Sequence, residues 1–124
     1  MILQIKCCSF CSSSYIAHGP VHEKFFNSLN VSTKSLAALT TDVRFPNNPT
    51  SSGFLDNFDS PYEMGDNYGV QLYSYFNAPE TGLYTFFAAC DDFCQIFLSN
   101  SSLEKDKKEI INVQGWTSRY QYTR

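Results

Sequence analysis

The clearest alternation in this chain runs from Val70 to Phe76, with Val70, Leu72 and Phe76 on one side and Gln71, Tyr73 and Tyr75 on the other. A period of two is that of a β-strand with one face in a core and the other wetter. Pro79-Glu80-Thr81-Gly82 then carries turn chemistry, because proline presets φ and glycine accepts positive φ. The next run, Leu83 to Ala89, is apolar on both faces and predicts a strand central in its sheet. Ile96 and Leu98 alternate with Gln95 and Ser99, and Glu109 to Val113 predicts one more strand. Upstream, Val21, Phe25 and Phe26 predict a short strand within Pro20 to Phe26, and Leu36, Ala37 and Leu39 give a helical turn at most. Two prolines and a glycine make Phe45 to Gly53 a loop, and Phe54 to Phe58 returns as an edge strand. Short strands joined by turns predict an all-β fold, an antiparallel sandwich or barrel. Residues 1 to 19 show neither period and read as poorly ordered lead sequence, with the domain at 20 to 124.

Composition narrows the functional classes. Eleven Phe, eight Tyr and one Trp favour pleated, half-buried surfaces. Twelve acids against nine bases leave a net charge of −3, and no basic stripe marks a nucleic-acid partner. Lys105, Lys107 and Lys108 are interleaved with Glu104, Asp106 and Glu109, the pattern of a solvated loop. No apolar run approaches the roughly 20 residues that cross a bilayer, so this segment inserts in no membrane as a helix, although a parent protein with an anchor elsewhere fits equally well.

Chemistry concentrates at Cys90-Asp91-Asp92-Phe93-Cys94, where one predicted strand hands over to the next. Neighbouring side chains of an extended strand point to opposite faces, so Asp91 and Asp92 reach one ion only through a bend or an unusual peptide bond. Read from the residues alone, they are first a polar hairpin end in solvent. Cys90 and Cys94 admit two readings, a small disulfide that fixes the loop or two small buried residues. Cys8-x2-Cys11 followed by His18 and His22 has too few intervening residues for a zinc finger. Asn30-Val31-Ser32 and Asn100-Ser101-Ser102 are glycosylation acceptors, which permit secretion without showing it. No phosphate-binding loop, nucleophile elbow or catalytic histidine constellation is present in the sequence, and the chain reads as a non-enzyme.

Several motifs stand in a characteristic order: Phe58-x-x-Pro61, Gly65-Asp66-Asn67-Tyr68-Gly69, Tyr75-Phe76-x-x-Pro79-Glu80-Thr81-Gly82-x-Tyr84-Thr85-Phe86, Asp91-Asp92, Phe97-Leu98-Ser99 and Gly115-Trp116-Thr117-Ser118. In this order they resemble the protective-antigen-type ("PA-fourteen") domain of bacterial toxins, yeast adhesins, glycosidases and fibrocystin-like receptors. The proline- and asparagine-rich loop before Phe58 is most similar to the fibrocystin-like members. The resemblance covers about residues 20 to 124 and implies a β-sandwich. Members continue through further strands beyond Gly-Trp-Thr, so it also implies a sandwich incomplete at the C-terminus. In the adhesin members an Asp-Asp pair holds Ca²⁺, which implies Asp91 and Asp92 as metal ligands, weakly binding without the family's later loop.

The expectation is therefore an extracellular recognition module of a larger receptor or adhesin, with Ca²⁺-dependent binding of glycan or glycoprotein. The alternatives are a structural ectodomain spacer without metal and an accessory carbohydrate-binding module of a glycosidase.

Overall fold

The computed structural model describes residues 2–12, 19–61 and 64–122, with residues 2–12 and Thr33 by backbone alone. Six strands are hydrogen-bonded into one antiparallel sheet: β1 (Ile2–Ser12), β2 (Val21–Phe26), β3 (Ser51–Leu55), β4 (Gly69–Tyr75), β5 (Ala89–Ser99) and β6 (Lys108–Gln114). Their order across the sheet is β3-β2-β4-β1-β5-β6. The class is all-β and antiparallel, as the alternation predicts. The sheet does not close into a barrel, and no second sheet is present among the described residues. Among the described residues, helix is confined to α1 (Ala37–Thr40) and to 3-10 turns at Val31–Thr33 and Glu104–Asp106.

Three segments differ from the sequence reading, one of them the edge strand, which runs over Ser51–Leu55 and not from Phe54 to Phe58. Ile2–Ser12, expected to precede the domain, is paired with β4 on one side and β5 on the other. The stretch holds Ile2, Ile5 and Phe10, types that favour strands even without strict alternation. The apolar run from Leu83 forms no strand before Ala89. β1 takes the place beside β4, and the aromatic residues of that run pack end-on instead. Tyr84 and Phe86 set their rings edge-to-face on Phe76 at 5.3 and 5.7 Å, while Leu83 is fully exposed.

The alternation in β2 and β4 sorts the sheet into two faces. Val21 and Phe25 with Val70 and Leu72 join Phe58, Tyr68, Phe76, Ala88, Cys90, Cys94 and Ile96 in the main core. Phe26 turns to the other face and meets Leu29, Leu36, Leu39, Phe45 and Phe93 in a smaller cluster. The helical segment thus covers one end of the second face. Gly69 sits under it so closely that a Cβ would lie 2.9 Å from the Cδ1 atoms of Leu29 and Leu39. Beyond that cluster, His22 and Lys24 of β2 oppose Tyr73 and Gln71 of β4 in register.

Candidate functional site at the acidic pair

Asp91 and Asp92 lie near the start of β5, inside the strand and not at a junction between two. The Cα atoms of Cys90 and Cys94 are 6.0 Å apart, where four extended residues would span roughly 13 Å. The chain is therefore folded back around the acids. Their peptide bond is cis, one of two cis bonds among the described residues, the other being Phe45–Pro46. The sulfurs of Cys90 and Cys94 are joined as a disulfide across the bend.

A segment following β6 clasps the bend from outside. The Thr117 hydroxyl accepts from the Cys90 N–H at 2.7 Å and donates to the Cys90 carbonyl at 3.1 Å. The Thr117 N–H also donates to that carbonyl at 2.8 Å, and the Gly115 N–H donates to the Asp92 carbonyl at 2.9 Å. Gly115 has φ +136°, a conformation that disfavours side chains. Gly115 and Thr117 were legible as parts of a motif, but their work on the acid pair was not.

The electrostatics follow from this convergence. The Asp91 carboxyl is pushed up from 3.8 to about 6, first by burial, then by its hydrogen bond with Asp92 and by the repulsion of that neighbour's charge. Asp91 is half-buried and Asp92 exposed. The Tyr68 hydroxyl is pushed up to about 12 by burial, with the charges of Asp91 and then Glu23 adding to the effect. Nearby, Arg119 pairs with Asp59 at 2.9 Å, and the Tyr120 hydroxyl donates to the other oxygen of that carboxylate at 2.9 Å.

Two converging carboxylates are hard oxygen donors suited to Ca²⁺, and they supply part of a shell of six to eight oxygens. Among the described residues, no group of three or more His, Cys, Asp or Glu is placed to hold a metal.

The remaining candidates lie apart from the pair. Asn30 is exposed and its side chain accepts from the Ser32 N–H at 3.2 Å, and Asn100 is exposed just after β5. His22 stacks on Tyr73, while His18 and the side chains of Cys7, Cys8 and Cys11 lie outside the described residues. Trp116, beside the clasp, is 64 % exposed and lines a surface cavity of about 310 Å³ with Ile111, Val113 and Thr117. No known protein family, curated protein or solved structure matches the chain.

Proposed function

We propose that this chain is an extracellular recognition module of the protective-antigen type, without enzymatic activity, whose Asp91–Asp92 pair holds Ca²⁺ for a glycan or glycoprotein ligand. One observation carries the reading: Asp91 and Asp92 are adjacent in β5 where the Cα atoms of Cys90 and Cys94 approach to 6.0 Å, and the charge of Asp92 helps push the Asp91 carboxyl up. A solvated hairpin end would gain nothing from bringing two like charges together, whereas a hard cation would be attracted to both. The bound ion would supply an electrophilic centre for ligand hydroxyls. An extracellular setting is supported by the Cys90–Cys94 bridge, since such bonds persist in oxidising compartments.

Calorimetric titration of the chelator-stripped protein with CaCl₂ tests the reading. Saturable heat that vanishes in Asp91→Asn/Asp92→Asn is the expected result. No heat at millimolar metal would leave the spacer reading.

A further inference from the structure

The second face of the sheet carries a cavity that owes nothing to the acidic pair. It measures about 440 Å³ and lies over β2 and β4, lined by His22, Lys24, Gln71, Tyr73 and Tyr75, with Glu104 at its rim. That volume falls in the range of small-molecule sites, roughly 300 to 1,000 Å³.

Its chemistry is specific. His22 and Tyr73 are stacked, with centroids 4.8 Å apart and planes 16° from parallel, and Phe54 meets His22 edge-on at 4.5 Å. Tyr75 adds a ring that is 61 % exposed. Among these rings sits Gln71, only 4 % exposed, whose Oε1 has no hydrogen-bond partner. A buried amide oxygen without a donor costs about 1 to 3 kcal/mol, and the side chain bearing it lines the cavity. The charged groups there are already engaged. Lys24 Nζ donates to the Pro46 carbonyl at 3.0 Å and lies 5.6 Å from the Tyr73 ring centre, and Glu104 pairs with Lys107 at 2.7 Å.

We infer that this cavity is a second, metal-independent binding site for a neutral pyranose. Tyr75 offers an exposed ring to the C–H face of a sugar, and a turn of the Gln71 side chain would bring its buried acceptor to one hydroxyl hydrogen and its amide donor to a neighbouring oxygen. Of the two charges, Glu104 is paired with Lys107, and Lys24, which donates to a backbone carbonyl, keeps N–H donors that suit sugar hydroxyls. The site is independent of the calcium reading, because it uses none of its residues.

The test is a titration of isotope-labelled protein, in excess chelator, with methyl α-D-mannopyranoside, methyl β-D-galactopyranoside and N-acetylglucosamine, followed by NMR. The expected result is saturable shifts at the Gln71 side-chain amide and the Tyr73 and Tyr75 rings with at least one sugar. Tyr75→Ala removes an exposed ring and Gln71→Met keeps side-chain size, so folded variants are at hand. Each should weaken binding by about tenfold, the size of one lost buried hydrogen bond or ring contact. No saturable shift with any of the three sugars overturns the inference, and so does binding that both variants leave unchanged. Binding that appears only when Ca²⁺ is restored also overturns it and assigns recognition to the acidic pair.

Discussion

Raising the pH should destabilise the metal-free protein, and Asp91 should carry much of the effect. Its carboxyl titrates near 6 in the folded chain against an ordinary 3.8. Below the lower value both folded and unfolded chains hold the proton, and Asp91 contributes nothing to the balance. Between the two values the unfolded chain has lost a proton that the folded chain keeps, so unfolding becomes easier as pH rises. Above about 6 both are ionised and the full penalty is present. At about 1.4 kcal/mol for each pH unit, the interval would amount to about 3 kcal/mol in a dry site. Asp91 is only half-buried, and solvent screening brings the expected loss down to the order of 1 kcal/mol. Glu23, raised by burial, acts with the same sign, so Glu23→Gln is the background in which to isolate Asp91. Urea unfolding in chelator at several pH values from about 4 to 7 measures the slope, which linkage ties to the proton difference. Asp92→Asn should reduce that slope without removing it, because burial, the larger cause, persists. Stability that is flat or rising with pH in the Glu23→Gln background would refute the reasoning. An undiminished slope in Asp92→Asn would refute the part assigned to the neighbouring charge.

Two further outcomes follow from packing and from the bridge. Replacing Cys90 and Cys94 together by alanine should cost roughly 2 kcal/mol by chain entropy for so short a loop, read as a lower urea midpoint, and non-reduced peptide mapping should find the two joined in the native protein. Gly69→Ala forces a Cβ to 3.2 Å from the Leu39 Cβ and closer still to two Cδ1 atoms, and overpacking of that kind should lower stability by about 1 to 3 kcal/mol in the same assay.

What could be read in the sequence divides along the range of the interactions. β4 was legible because a period of two is a local property, and the strand needs only its own residues to show it. The segment after Leu83 was not, because its apolar residues serve ring contacts on Phe76 instead of a ladder, and a hydrophobic run does not say which of the two it will make. Adjacent acids between cysteines marked the site, yet their convergence depends on Thr117, which holds Cys90 from 27 positions away. The aromatic groove was hidden more deeply. The alternation had already set Gln71, Tyr73 and Tyr75 on the wetter side of β4, but only the pairing of His22 with Tyr73 brings the second ring beside them. A polar face in a strand pattern therefore has two meanings, solvent or a site. The unpartnered amide oxygen of a side chain as buried as Gln71 speaks against plain solvent exposure, since on a merely wet face water would reach it.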